Sequence, residues 1–170
     1  MGSEMQQHDG LKERRGAILD RWKELALSVY PERAVSFLSE ERDRFQNPVG
    51  HTLEQNLGVL YDGLLDPGPA EEMRQALDGI VRVRAVQDLS ASEAVGFVFL
   101  LKQAVREVLP GEHGLSGFHD RIDRLALGAF DQFVACREKI YELRMREVRN
   151  RTLALERLME RGAERPGGTP

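Results

Sequence analysis

The sequence predicts an all-α fold, a bundle of five or six helices whose last member is long enough to project beyond the rest. Three observations carry that expectation. Apolar residues recur at intervals of three and four through almost every segment, the period of a helix with one buried face. Proline and glycine clusters separate those segments. The stretch from Phe118 to Met159 contains no proline and a single glycine, Gly128.

The first helix is expected from about Leu11 to Val29. Leu11, Ile18, Trp22, Leu25 and Val29 fall on one face, Asp9 is a suitable N-cap, and Tyr30-Pro31 stops the run, because a residue before proline is pushed out of the α region. A short helical piece over about Glu32 to Glu40 follows. Asn47 then caps a helix that places Pro48 at its first position, where the missing N–H costs nothing. Leu53, Leu57, Leu60, Tyr61 and Leu64 make its buried stripe, and Asp66-Pro67-Gly68-Pro69 ends it.

The next segment opens on Glu71 and Glu72, acids that suit a helix N-terminus. Ile80 to Val86 alternates like a strand, but it continues the pattern of Met73, Leu77 and Ile80. With no second strand to pair its backbone, helix is the consistent reading. Ser90-Ala91-Ser92-Glu93 is a capping box. Ala94, Val98, Leu101, Val105 and Val108 follow on one face, and Pro110-Gly111 closes the helix.

The final helix carries a core stripe of Phe118, Ile122, Leu125, Ala129, Phe133, Cys136, Ile140 and Leu143. From Tyr141 the pattern changes to Tyr141, Met145, Val148, Thr152, Leu155 and Met159, alternating four and three, which is the a/d seam of a coiled coil. A helix of about 40 residues spans about 60 Å, more than a domain of this size covers. The expected division is a disordered N-terminus over 1–8, a helical domain over 9–140, a coiled-coil-like extension over 141–161 and a disordered tail over 162–170. The cheapest partner for the seam is its twin in a parallel homodimer.

Composition narrows the classes of function. Of 170 residues, 41% are hydrophobic and 31% charged, and the net charge of −4 argues against a nucleic-acid footprint over the whole chain. The Arg-rich end is interleaved with Glu142, Glu147, Glu156, Glu160 and Glu164, the mark of a solvated coiled-coil face more than of a nucleic-acid arm. Cys136 is the one cysteine, so no intramolecular disulfide forms. The longest apolar run, Ala94 to Leu101, is interrupted by Gly96 and ends at Lys102, far short of a membrane span. The polar residues 1–10 lack the apolar core of a signal peptide. The expectation is a cytoplasmic protein.

Candidate chemistry is sparse. No Gly-rich phosphate loop, CxxC pair, nucleophile elbow or HExxH is present. His119-Asp120, with His51 and Asp131, can be arranged as a metal-dependent hydrolase set, but Asp120 in a first helical turn has a simpler role in the helix dipole. Asp78 and Arg82 stand four apart and suit an exposed ion pair. Arg84 falls near the Leu77–Val81 stripe, where a charge must be paired or reach out to solvent. Arg82 and Arg84 are therefore the candidate anion or partner contacts, with a structural salt bridge as the plainer reading of Arg84. Cys136, on a buried stripe, reads as a small core residue.

Several motifs together carry a family resemblance. Trp22 with Tyr30-Pro31, Phe45-Gln46-Asn47-Pro48-Val49-Gly50, Val81-Arg82-Val83-Arg84-Ala85-Val86-Gln87 and Ser92-Glu93-Ala94-Val95 resemble the N-terminal domain of the RsbT co-antagonist proteins, the sensor-like subunits of bacterial stressosomes. The likeness covers about residues 11 to 145. It implies a globin-like helical fold without haem, a dimer, and a last helix leading into an output domain, usually a STAS domain. The sequence stops shortly after the seam, so the expectation is that this output is absent. A haem would need an axial ligand on an apolar pocket, and His8, His51, His113 and His119 all fall at helix starts, in loops or in the tail. No cofactor and no metal are expected.

Taken together, the residues and the resemblance imply a non-enzymatic regulatory or sensor module. Its long helix would transmit a ligand- or partner-induced change to another signalling protein. The alternative is a helical adaptor or assembly subunit that binds a different protein through the same helix.

Overall fold

The computed structural model describes residues 9–28, 48–66, 68, 70–87, 89–111 and 114–163. The predicted Tyr30-Pro31 stop, the short piece over Glu32 to Glu40, the Asn47 cap and both chain ends (1–8 and 164–170) lie outside them. The described residues form the all-α, globin-like bundle with a long C-terminal helix, and contain no strand. Its helices are α1 (Arg15–Leu27), α2 (Pro48–Leu65), α3 (Ala70–Val86), α4 (Ala91–Val108) and α5 (Ser116–Ala163).

A helical turn over residues 9–13 precedes α1, with Arg14 (φ −95°, ψ 11°) between them. The hydrogen-bond ladder crosses this irregularity: Arg14 N–H donates to the Gly10 carbonyl at 3.1 Å and Ile18 N–H to that of Arg14 at 3.0 Å. Asp9 thus lies inside a helical turn and not at a cap. The Tyr61 hydroxyl donates to the Leu11 carbonyl at 2.9 Å beside the same irregularity, tying this turn to α2.

The ambiguous run at the end of α3 is helical, and burial says so independently. Ile80, Val81, Arg84 and Ala85 are buried, while Val83 and Val86 face outward. A strand would have put 81, 83 and 85 on one face. The capping box opening α4 has both arms: Glu93 N–H donates to Ser90 Oγ at 3.3 Å and Ser90 N–H to Glu93 Oε2 at 2.8 Å. Between α4 and α5 the chain turns through Gly111 (φ 86°) and Gly114 (φ 88°), left-handed values that favour glycine. α5 starts at Ser116 and runs through Ala163, past the seam's last predicted residue.

α4 packs against α1 and α5, and α3 lies between α2 and α5. The core is continuous, with Trp22, Tyr61, Phe97, Ile18, Leu57, Leu101 and Ile122 fully enclosed. Trp22 lies almost parallel to Phe97, ring centroids 6.4 Å apart, and its indole N–H donates to the Phe97 carbonyl at 2.6 Å. α2 and α3 approach closely because two glycines make room. A Cβ on Gly63 would stand 2.4 Å from the sulfur of Met73, and one on Gly79 would stand 2.6 Å from Asn56 Nδ2.

Three helix C-termini are closed by arginines from other helices. The last four carbonyls of a helix have no partner within it, and the end carries partial negative charge. Arg84 of α3 donates to the Ala26 carbonyl in the last turn of α1 at 2.8 Å. Arg121 of α5 donates to Leu64 at the end of α2 at 2.6 Å, and Arg137 of α5 to Ala85 at the end of α3 at 3.2 Å. Each carbonyl belongs to the penultimate residue of its helix. Each guanidinium also lies over a phenylalanine: Arg84 over Phe97 at 4.9 Å, Arg121 over Phe118 at 5.7 Å and Arg137 over Phe133 at 6.0 Å. The ring face supplies negative potential to the cation, most usefully to Arg84, which is buried.

Candidate functional site

The site of interest is where α5 leaves the bundle. Phe118, Ile122, Ala126, Ala129 and Phe133 are buried, and Leu125, Cys136 and Ile140 are packed against the core at its margin. Arg137 is the last tether, through Ala85. Beyond Ile140 every side chain described through Met159 is exposed. Leu143, expected on the core stripe, is 55% exposed, because the bundle has ended before it. α5 is about 72 Å long at 1.5 Å per residue, and the part after Ile140 extends about 35 Å.

The predicted seam residues all lie on this part and share one face. Tyr141 is 66% exposed, Val148 58% and Met159 68%, with Met145, Thr152 and Leu155 also exposed. Thr152 Oγ1 donates to the Val148 carbonyl at 3.1 Å, which occupies its polar atom within the helix. Ion pairs Arg146–Glu142 and Arg151–Glu147 run along the flanks.

The structure adds three residues that the pattern analysis missed. Leu127, Phe130 and Val134 are exposed apolar residues on α5 inside the bundle, and they continue the same line toward the N-terminus. Val134 is seven residues before Tyr141, and Leu127 seven before Val134. Only the d positions extend back, since the a positions between them are Asp131 and Glu138, so the full apolar a/d alternation begins at Tyr141, directly after the core stripe stops at Ile140. The spacing was available in the sequence, but the denser core stripe masked it.

Arg82 and Arg84 are not brought together. Arg82 is exposed and pairs with Asp78 at 2.7 Å. Arg84 is 2% exposed, with donors on Ala26 O and on the Glu93 carbonyl at 3.2 Å. Its surroundings are those of an internal tie between α1, α3 and α4.

Among the described residues no group of three or more His, Cys, Asp or Glu side chains is placed to hold a metal ion. His51 lines a groove between α1 and α2. His119 instead sits near Lys102, Arg106, Asp120 and Asp123. Burial, followed by the two cations, lowers its pKa, and its Nε2 is enclosed without a hydrogen-bond partner among the described residues. Burial likewise pushes the Tyr61 hydroxyl up, so it stays a neutral donor to Leu11. No described helix is long and apolar enough to cross a membrane.

A packed helical bundle that hands one helix to solvent, apolar face outward, defines an all-α module with a projecting helix. The chain matches the family model described as the RsbT co-antagonist protein rsbRD N-terminal domain over residues 16–148, and it belongs to that family. Membership places it among signalling modules of the stressosome type. The matched span ends at Val148, so it includes the Arg137 tether and the first turns beyond the bundle. No curated protein and no solved structure matches the chain.

Proposed function

We propose that this chain is a non-enzymatic regulatory module of bacterial signalling that works in the cytoplasm as a parallel homodimer. A ligand or partner acting on the bundle shifts α5, and the paired extensions carry that shift to another signalling protein. The observation that supports this reading is the exposed apolar face from Tyr141 to Met159, with Leu127, Phe130 and Val134 on the same side of α5 inside the bundle and the charged Arg137 and Glu138 between the two groups. A rigid helix with one apolar face inside the bundle and beyond it moves as a unit when its seat moves. Pairing along it covers both parts at once.

Solution mass by light scattering tests the reading on the full chain, on Val148→Asp and on a truncation after Arg144. A dimeric full chain is expected, with both variants dissociating at concentrations where it does not. A Val148→Asp chain as dimeric as the parent would remove the seam from the interface. A monomeric full chain would favour the adaptor reading, in which the same seam belongs to a different protein.

A further inference from the structure

A groove of about 450 Å³ lies between α3 and the exit of α5, within the size range of small-molecule sites. Its floor and rim are amphiphilic. Val86, Ile140 and Leu143 supply apolar surface, and Val86 and Leu143 are both more than half exposed. Arg74, Arg82 and Lys139 supply three cations against the single carboxylate of Asp78, in a chain whose net charge is −4. Asp78 pairs with Arg82, and Arg74 pairs with Glu71 outside the groove. Lys139 is exposed and has no ion pair among the described residues. The local positive excess thus rests on an ammonium outside any ion pair among the described residues, next to an aliphatic wall.

We infer that this groove binds a small aliphatic carboxylate, its anion held by Lys139 and Arg82 and its chain laid against Val86, Ile140 and Leu143. A simple inorganic anion would leave the aliphatic wall wet, and a neutral hydrocarbon would leave the Lys139 charge unanswered. Only a ligand with both parts matches the lining, since charge-assisted contacts orient it and the apolar contact adds affinity. The position also suits an input. Val86 ends α3 directly after Ala85, the carbonyl held by Arg137, while Ile140 and Leu143 straddle the point where α5 leaves the core. A bound chain bridges the two helices at that tether.

The groove stays open in the proposed dimer. Each residue turns a helix by about 100°, so Lys139 lies about 200° from Tyr141, on the opposite side of α5 from the seam. That the groove is the input of a relay rests on the function proposed above. That it binds the ligand does not.

Calorimetric titration of the full chain with hexanoate is the test, with acetate lacking the tail and hexanol lacking the charge. Hexanoate is expected to saturate one site per chain and to bind at least about tenfold more tightly than either control. Lys139→Glu and Leu143→Asp, both at exposed positions, are each expected to weaken it by about tenfold or more, while Arg124→Glu leaves it unchanged. Thermal melts confirm that the variants are folded. Equal binding of hexanoate and hexanol, or hexanoate binding indifferent to Lys139→Glu, overturns the site. Light scattering of the same samples separates the two readings. A dimer that depends on Val148 but takes no hexanoate removes the site alone, whereas a monomer that binds hexanoate removes the relay and leaves the site.

Discussion

The guanidinium of Arg84 and the carbonyl of Ala26, 58 residues apart in sequence, meet at 2.8 Å in the interior of the bundle. Ala26 is in the last turn of α1, where a carbonyl has no helical partner, and burial denies it water. Truncating Arg84 removes the donor that the structure gives that oxygen and opens a cavity beside Phe97. Arg84→Ala is therefore expected to lower the unfolding free energy by about 3 kcal/mol, measured by denaturant titration. Arg84→Lys keeps the charge but not the fork that spans Ala26 and Glu93, and should recover only part of the loss. A change below about 0.5 kcal/mol for the alanine variant would show that the tie is not structural.

How far the sequence could be read depends on whether a feature is local. The capping box at Ser90 and Glu93, the Asp78–Arg82 pair and the helical character of α3 all follow from residues a few positions apart, and each appears as expected. Arg84 was legible only as a charge on a buried stripe. That its donors go to the ends of two other helices is a tertiary fact with no local trace. The same holds for Arg121 and Arg137, whose helix-end partners lie more than 50 residues away. Their ring contacts left a clue, since Phe118 and Arg121 are three apart and Phe133 and Arg137 four apart, spacings that place both on one helix face. For α5, the full apolar a/d alternation begins at Tyr141, and only its d positions extend back beside the core stripe to Leu127.

The orientation of the proposed dimer has its own signature. With Tyr141, Val148 and Leu155 at d positions, a parallel pair sets Arg137 against Glu142 and Arg151 against Glu156 across the interface, but Arg144 against Arg149. Arg149→Glu converts the repulsive contact into an attractive one twice per dimer. A gain of about 0.5–1 kcal/mol in dimer stability is expected from such flanking pairs, read from the concentration dependence of sedimentation and reduced by salt. An unchanged or weakened dimer would argue against the parallel arrangement.

The glycines of the bundle are not equivalent, and alanine substitutions separate them. Gly96 in α4 has no atom within 4 Å of where a Cβ would stand. Gly96→Ala should therefore raise stability by about 0.5–1 kcal/mol, through helix propensity alone. Gly63→Ala gains the same propensity but drives a methyl group into the Met73 side chain, including its Cγ. It is expected to be neutral or destabilising. Melting temperatures of the two variants beside the parent decide the matter, and a rise for Gly63→Ala as large as for Gly96→Ala would mean that α2 and α3 have room to separate.

His119 predicts a pH dependence of stability whose sign runs against the common case of a histidine gaining an acidic partner. Burial, then Lys102 and Arg106, lower its pKa below the ordinary 6.5 and outweigh Asp123 and Asp120. The folded chain therefore takes up this proton less readily than the unfolded chain. Its contribution is fully present above the ordinary value and is lost as the pH falls from there through the lowered one. Glu71, Glu93 and Glu107 are shifted down from 4.5 by their hydrogen-bond partners, so their losses begin at lower pH and do not overlap. Between about pH 7.5 and about pH 5.5 the melting temperature should fall, and His119→Asn should flatten that slope while leaving the steeper acid limb in place. A parent protein equally stable across that interval, or a slope that survives His119→Asn, would show that the proton goes elsewhere.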